Sequence, residues 1–174
     1  MKVLDRWYSK RKKSPVCIKG ITRKILVSYF NEWGFKYGVE VGVSKGNFSA
    51  HMLKNINGLN LIGIDPYDTR SLERFSFYNF SLITQSSEEA VDLIEDNSLD
   101  FVYIDGNHTF DFVIMDIIIW SKKVKKGGII SGHDYHRFIP IGVIDAVDMY
   151  TKVHQIEKWF ITDEKFPTWF WRKE

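Results

Sequence analysis

A short turn with two glycines could bring a ligand close to the backbone. Gly42 and Gly46 lie in the segment 39–49, between a strand-like apolar pattern and a helical one. Glycine lets backbone amides approach a ligand, and the N-terminus of the following helix adds partial positive charge. Asp65 ends the next apolar run, where a carboxylate can accept the hydroxyls of a ribose. The combination predicts a site for a ligand that contains a nucleoside.

The glycine spacing discriminates between nucleoside ligands. A dinucleotide site requires G-x-G-x-x-G, whereas this turn holds only two glycines, and a phosphate loop is excluded because no G-K-[ST] follows. Glu40, just before the turn, would repel a pyrophosphate but attract an ammonium and a sulfonium. S-adenosylmethionine carries both of these cations, so it is the leading candidate for the cofactor.

A second group of reactive side chains follows two later strand patterns. Asp105 and His108 come after one apolar run, and His133 and Asp134 come after the next. Removing a proton from an alcohol requires a base or a Lewis acid. The two carboxylates suit Mg²⁺, whereas the imidazoles suit a softer divalent ion or a general base that needs no metal, and these alternatives stay open. The other histidines match no such motif and are expected at the surface or within helices: His51, His136 and His154.

Ser86 has two interpretations. It follows the strand pattern 80–85, where its side chain could contact the edge of an adenine. It also opens the run Ser-Ser-Glu-Glu, which is good capping chemistry for a helix over 88–95. Both interpretations remain open from the sequence.

Strand-like and helical patterns alternate along the chain, which is typical of a parallel sheet in an α/β protein. The predicted strands are 37–43, 59–64, 80–85, 99–104 and 129–132. The predicted helices are 22–33, 46–55, 88–95, 110–124 and 141–154. Two aromatic runs, 156–162 and 168–172, read as an antiparallel hairpin. The uninterrupted apolar strands predict burial on both faces, with the candidate site residues on the rim at the carboxyl ends.

Composition predicts one domain over residues 1–174. The net charge is only +2, but residues 1–20 hold seven Lys or Arg against one Asp, and we expect this basic N-terminal arm to be a solvated tail rather than a nucleic-acid contact. A lone Cys17 cannot form an intrachain disulfide. The longest apolar run, 112–120, is interrupted by Asp116, so we expect no membrane span and a cytoplasmic location.

Two further motifs carry a family resemblance. They read Tyr-Ile-Asp-Gly-Asn-His-Thr-Phe over 103–110 and Gly-Gly-Ile-Ile-Ser-Gly-His-Asp-Tyr over 127–135. Together with the glycine turn, they resemble the class I S-adenosylmethionine-dependent methyltransferases, in the small bacterial branch of methyltransferase domain 24. The likeness runs from about residue 37 to 150, with Ser44 in place of the usual second glycine of the turn. It implies a Rossmann-like fold, with a mostly parallel seven-stranded sheet, an antiparallel C-terminal hairpin and helices on both faces.

The resemblance also implies roles for the residues. Glu40, Gly42 and Gly46 would lie near the methionine part of the cofactor. Asp65 would bind the ribose and Ser86 the adenine edge. The cofactor set is completed by Asp105, and the implied catalytic residues are Asp105, His108, His133 and Asp134. Related enzymes such as catechol O-methyltransferase bind Mg²⁺ at these two strand ends, which would make Asp105 and Asp134 the metal ligands.

The implied activity is transfer of a methyl group to a hydroxyl of a sugar, a glycan precursor or a secondary metabolite, with help from Mg²⁺ or another divalent metal. A small-molecule or saccharide-like acceptor is favoured over nucleic acid, because no Asn-Pro-Pro-Tyr motif follows the fourth strand. A non-catalytic module that binds S-adenosylmethionine or a partner is the alternative, and a homo-oligomer stays open. The aromatic residues near the C-terminus are expected to fill the core: Trp159, Phe160, Phe166, Trp169, Phe170 and Trp171.

Overall fold

One mixed sheet organises the computed structural model, which describes residues 2–8, 13–67, 75–139 and 141–174. Its strands within that part of the chain are β1 Val16–Ile18, β2 Tyr37–Val41, β3 Asn60–Ile64, β4 Asn79–Ile83, β5 Leu99–Ile104, β6 Val124–Gly132, β7 Phe160–Thr162 and β8 Trp169–Arg172. The helices are α1 Lys2–Tyr8, α2 Arg23–Glu32, α3 Asn47–Asn55, α4 Ser87–Ala90, α5 Phe110–Lys123 and α6 Val143–Val153, with a 3₁₀ turn at Val91–Leu93.

The strand order β1-β7-β8-β6-β5-β2-β3-β4 creates a switch point in the middle of the sheet. From β2 the chain moves outward through β3 and β4, then returns to place β5 on the other side of β2. All neighbouring strands are parallel except the pairs that include β8. The predicted α/β architecture is therefore confirmed, as is the antiparallel C-terminal hairpin. Loops that leave β2 and β5 diverge at their carboxyl ends, which opens a crevice there.

Helices cover both faces of the sheet, as the uninterrupted apolar strands predicted. Side chains alternate across β5, so that Phe101 packs on one face and Val102 on the other. The first face is covered by α2 and α3, including Phe30, and the second by α5 and α6, including Trp120. Burial on both faces explains why β5 has no polar alternation.

The N-terminal arm differs from the prediction of a solvated tail. Trp7 is only 8% exposed, and its ring contacts four aromatic side chains, those of Tyr29, Trp33, Phe160 and Phe170. Further along the arm, Val16–Ile18 pairs in parallel with β7 and adds an eighth strand to the seven predicted. Apolar side chains within the basic segment drive this docking, because they lose water-exposed area on the sheet. Residues 9–12 of the arm lie outside the described part.

The C-terminal aromatic residues fill the core, as expected, with one exception. Phe166 is 39% exposed, and the five buried members are Trp159, Phe160, Trp169, Phe170 and Trp171. Strand β6 begins at Val124 rather than at 129, because Val124 already pairs with Leu99 of β5. The next pair joins Ile129 to Phe101, so residues 125–128 form an irregularity between the two pairs. Within the described ranges, no helix is both long and apolar enough to cross a membrane.

Candidate active site

A cavity of about 950 Å³ lies at the switch point. It is lined by residues that follow the carboxyl ends of four parallel strands, including Gly42, Ser44, Asp65, Ser86 and Asp105. This size and position are typical of a small-molecule site in an open α/β sheet. The sequence prediction of a ligand site on this rim therefore agrees with the shape of the protein.

Gly42 begins the turn that forms one wall of the cavity. Its φ of +89° lies in the region that favours glycine, and a Cβ there would come 2.3 Å from the carbonyl oxygen of Asp105. The next residues bend so that the amides of Val43 and Ser44 donate to Asp65 Oδ2 at 3.0 and 2.7 Å. Ser44 itself has a φ of +49°, so it takes a left-handed conformation at the position where the resemblance expects glycine.

Asp65 is held rigidly at the end of β3. Besides the two amides of the glycine turn, the Tyr67 amide donates to its Oδ1 at 3.0 Å. A carboxylate has about four lone-pair positions, and residues of the described ranges occupy three of them. Asp65 lines the cavity at 6% exposure, and its predicted contact with a ribose stays a prediction.

Glu40 and Gly46 do not line the cavity. The Glu40 side chain, 1% exposed, points under the turn and accepts a hydrogen bond from the Ser49 hydroxyl of α3. Burial raises the pKa of this carboxyl to about 8. Gly46 takes a left-handed conformation as the N-cap of α3. The structure therefore gives both residues a place in supporting the turn.

Ser86 caps a helix, as one of its two interpretations predicted, and the contact with adenine stays a prediction. Its hydroxyl accepts from the Glu89 amide, and the Glu89 carboxylate accepts from the Ser86 amide, which together make a capping box at the start of α4. The same residue also lines the cavity. Capping therefore fixes Ser86 in the cavity wall.

The four predicted catalytic side chains meet at the ends of β5 and β6. His108 Nε2 lies 2.7 Å from Asp134 Oδ2 and 3.4 Å from Asp105 Oδ1. His133 Nδ1 lies 3.2 Å from Asp134 Oδ1 and 3.7 Å from Asp105 Oδ1. Asp134 adopts a φ of +59°, which turns its carboxylate toward both imidazoles. Since Asp105 also lines the cavity, this acid–histidine cluster borders the cavity directly.

The acids and histidines of this cluster shift one another's pKa values. The nearby carboxylates of Asp105 and then of Asp134 raise the pKa of His108 to about 9. Burial alone would raise the pKa of Asp134, but hydrogen bonds and charge from His108 and His133 outweigh it and lower that pKa. The raised pKa of His108 and the lowered pKa of Asp134 favour a positively charged imidazole beside a negatively charged carboxylate in this partly buried position.

The cluster also has the donor set of a divalent metal site. One ligand atom each from Asp105, His108 and Asp134 lie within 4.8 Å of one another. His108 Nε2 is buried yet has no well-aligned hydrogen bond, despite its short distance to the carboxylate of Asp134. Two carboxylates with one imidazole suit ions such as Mn²⁺, Zn²⁺ or Fe²⁺ better than Mg²⁺. The residues thus fit a divalent ion, with His108 added to the predicted pair of acids.

Two residues near the acid–histidine cluster were not predicted from the sequence. Arg23 Nη1 lies 3.7 Å from Asp105 Oδ2, and its guanidinium sits 5.0 Å from the Phe48 ring centre. No motif marks Arg23, because it lies at the start of α2, which is far from Asp105 in the sequence. His136 is 7% exposed, rather than at the surface as expected, with Nε2 3.4 Å from Asp134 Oδ1. Its position two residues after Asp134 could have indicated from the sequence that His136 lies near the cluster.

The fold and the cavity define a Rossmann-like α/β domain with a cavity at the switch point of the sheet. The model of a family described as a methyltransferase domain matches residues 39–135, which is more than half of the chain. The protein therefore belongs to this methyltransferase-domain family. The matched range contains the glycine turn, Asp65 and the acid–histidine cluster.

Solved methyltransferases share the fold. An O-methyltransferase from Bacillus cereus in complex with S-adenosylhomocysteine is similar with a TM-score of 0.68 and 12% identity, over 99% of this chain and 89% of that one. The O-methyltransferase TomG of tomaymycin synthesis from Streptomyces achromogenes, in complex with S-adenosylmethionine, has a TM-score of 0.67 and 10% identity, over 87% of this chain and 79% of that one.

A curated relative also matches in sequence. An uncharacterized protein of Acanthamoeba polyphaga mimivirus is 32% identical over 114 residues, which is 58% of this chain. The chain spans about half the length of that relative, 52%.

Proposed function

We propose that this methyltransferase-domain protein transfers a methyl group from S-adenosylmethionine to a hydroxyl of a small-molecule or saccharide-like acceptor. The observation that carries the proposal is that Asp105 belongs both to the cavity wall and to the acid–histidine cluster. One side of this residue lines the nucleoside-sized cavity, and its carboxylate faces His108 and His133. A methyl donor in the cavity would therefore lie next to groups that can act on an acceptor hydroxyl.

The cavity supplies what an adenosyl cofactor needs. The described residues leave one acceptor position of Asp65 for a ribose hydroxyl, and the Gly42 turn allows the ligand to approach the backbone closely. Ser86 and Ser87 follow β4 at the other end. The solved relatives in complex with S-adenosylmethionine and S-adenosylhomocysteine support the choice of cofactor.

His133 is the general base that we infer from the geometry. Its Nδ1 faces the carboxylates of Asp134 and Asp105, so this nitrogen carries the ring proton and donates it. The lone pair is then on Nε2, which can accept the proton of an alcohol while Asp134 stabilises the resulting imidazolium. A divalent ion held by Asp105, His108 and Asp134 would lower the pKa of an acceptor hydroxyl when bound.

An aromatic surface beside Asp134 supports a saccharide-like acceptor. Phe138 and Phe166 are 67% and 39% exposed, their ring centres are 6.1 Å apart, and both rings contact His136. Aromatic faces pack against the C–H faces of sugars while the sugar hydroxyls stay free for polar contacts. Because His136 joins these rings to Asp134, an acceptor on this surface lies near the proposed base.

The first experiment is thermal unfolding with S-adenosylhomocysteine, with NAD and without ligand. A ligand at about a hundredfold its dissociation constant adds roughly 2.7 kcal/mol to the free energy of unfolding. Stabilisation by S-adenosylhomocysteine alone supports the proposal, and formation of that product with a panel of hydroxyl acceptors, with and without Mn²⁺ or Mg²⁺, then defines the reaction. Stabilisation by NAD alone contradicts the choice of cofactor. Binding without turnover on any acceptor favours the non-catalytic module instead.

A further inference from the structure

A buried carboxylate in the cavity wall has no role in the proposed chemistry. Asp116, in the middle of α5, is 4% exposed and yet lines the cavity. It interrupts an otherwise apolar stretch of the helix, where a carboxylate costs free energy unless it is bonded. Ser87 and Phe112 also line the cavity.

The hydrogen-bond directions around Asp116 are determined by a tryptophan. The indole N–H of Trp120 donates to Ser87 Oγ at 2.7 Å, and an indole nitrogen can only donate. Ser87 must therefore direct its own hydroxyl proton to Asp116 Oδ1, with which it is hydrogen-bonded. Among the residues that the structure describes, none donates to the second oxygen, Oδ2. A fixed acceptor thus remains for a ligand in the cavity.

Asp116 is charged near neutral pH despite its burial. Burial raises the pKa of this carboxyl to about 6, and the nearby charge of Glu88 acts in the same direction. At about pH 7.5 the carboxylate form dominates, so Oδ2 is an acceptor of hydrogen bonds. An unpaired buried acceptor of this kind strongly disfavours any ligand that places another acceptor against it.

If S-adenosylmethionine is the cofactor, as the proposed function requires, the positions of Asp105 and Asp65 determine which part of it reaches Asp116. The methyl group must face Asp105, and the ribose must reach Asp65 at the end of β3. The base, attached to the other side of the ribose, is then left with the part of the cavity formed by Ser87, Phe112 and Asp116. Phe112, 48% exposed, offers a ring that can cover an aromatic base.

We propose that Asp116 selects the adenine base of the cofactor, by accepting a hydrogen bond from its exocyclic amino group at Oδ2. Ser87 and Trp120 are positioning residues that hold the carboxylate in this orientation. A hypoxanthine base has a carbonyl oxygen at the same place, which would face the carboxylate without a proton between them. Sites built to pair with one polar group reject analogues that lack it.

The test compares two ligands by calorimetric titration: S-adenosylhomocysteine and its inosine analogue, in which the amino group is replaced by oxygen. The variant is Asp116→Asn, because its carbonyl oxygen can still accept from Ser87 while its amide donates toward the base. The control is Asp111→Asn, which makes the same charge change at an exposed position of α5.

We expect wild type and the control to bind the adenosine ligand at least about tenfold more tightly than the inosine ligand. Asp116→Asn should bind S-adenosylhomocysteine at least about tenfold more weakly and lose or reverse the preference. Equal binding of the two ligands by wild type, or an unchanged preference in the variant, would overturn the assignment. Equal binding by wild type overturns the assignment even if the variant does not fold. Failure of wild type to bind either ligand would instead overturn the proposed function, and the assignment with it.

Discussion

The Cα of Gly42 packs directly on the backbone of Asp105, so that a Cβ would lie 2.3 Å from the Asp105 carbonyl oxygen. This contact joins the glycine turn after β2 to the acid after β5 across the switch point. It also sets the distance between the cavity and the acid–histidine cluster. The two strand ends can adopt this arrangement only if residue 42 has no side chain.

Gly42→Ala is therefore expected to destabilise the protein and to disrupt cofactor binding. The left-handed conformation alone costs about 1–2 kcal/mol for a residue with a Cβ, and the contact with Asp105 adds to it. Chemical denaturation and titration with S-adenosylhomocysteine measure the two effects. Gly106→Ala is the matched control for stability, since a Cβ there meets no atom closer than 3.6 Å. Wild-type stability and binding in Gly42→Ala would contradict the interpretation.

Asp105→Asn and Asp134→Asn should each lower methyl transfer by at least about a hundredfold, because the cluster loses a charge that orients its histidines. Binding of S-adenosylhomocysteine should remain within severalfold of wild type. Asparagine also tolerates the left-handed backbone of Asp134, so the fold is kept. Product formation and calorimetry separate the two properties. Full turnover by both variants would remove these acids from the mechanism.

His136 is expected to position Asp134 for metal binding. The Phe138 amide donates to His136 Nδ1 at 3.2 Å, which leaves the ring proton on Nε2, facing Asp134. Loss of such a partner typically weakens metal affinity about 10–100-fold. His136→Ala should show this loss in titrations with Mn²⁺, and His136→Gln should recover part of it through its side-chain N–H. His154→Ala, a histidine that stacks on Tyr150, is the control.

We expect the ionisation of Glu40 to lower the free energy of unfolding as pH rises. Its pKa in the folded protein, about 8, exceeds the ordinary value of 4.5, so folding favours the neutral carboxyl. The stabilisation is complete below the unfolded pKa and is lost as pH rises through the folded one, at about 1.4 kcal/mol per pH unit in between. Free energies of unfolding from about pH 5 to 8 should fall less steeply in Glu40→Gln. Equal slopes in the two proteins would refute the assignment.

Trp7→Ala should destabilise the protein by roughly 3–5 kcal/mol, as expected for removal of a buried aromatic side chain. The side chain anchors α1 against rings from α2, β7 and β8. Denaturant unfolding of Trp7→Ala, with the exposed Lys13→Ala as control, measures the difference. If the two variants are equally stable, the N-terminal segment does not contribute to the core.

Much of the candidate site could be predicted from sequence because its signals are local. Asp65, Asp105 and Asp134 each end a strand pattern, and parallel strands bring their carboxyl ends to one rim without further information. The glycine of the turn and the capping sequence at Ser86 are likewise determined by residues a few positions apart. The alternation of elements predicted the parallel sheet for the same reason.

Other features depend on contacts between residues far apart in the chain. Glu40 was expected at the ligand, but its side chain turns to Ser49 under the helix. The charge of the basic arm predicted a solvated tail, whereas its Trp7 packs against the rings of Phe160 and Phe170, more than 150 residues away. Arg23 and Asp116 likewise reach their partners only through the tertiary fold, because Asp105 and Ser87 are distant from them in the sequence.

The sequence by itself thus determined the fold class, the family and the rim on which the reactive groups lie, since these follow from periodicity and short motifs. Only the tertiary structure decided which side chains face the cavity, which are buried beneath it and which partners set their charge. Those properties arise from packing between elements, and packing energies depend on distances that no local pattern specifies.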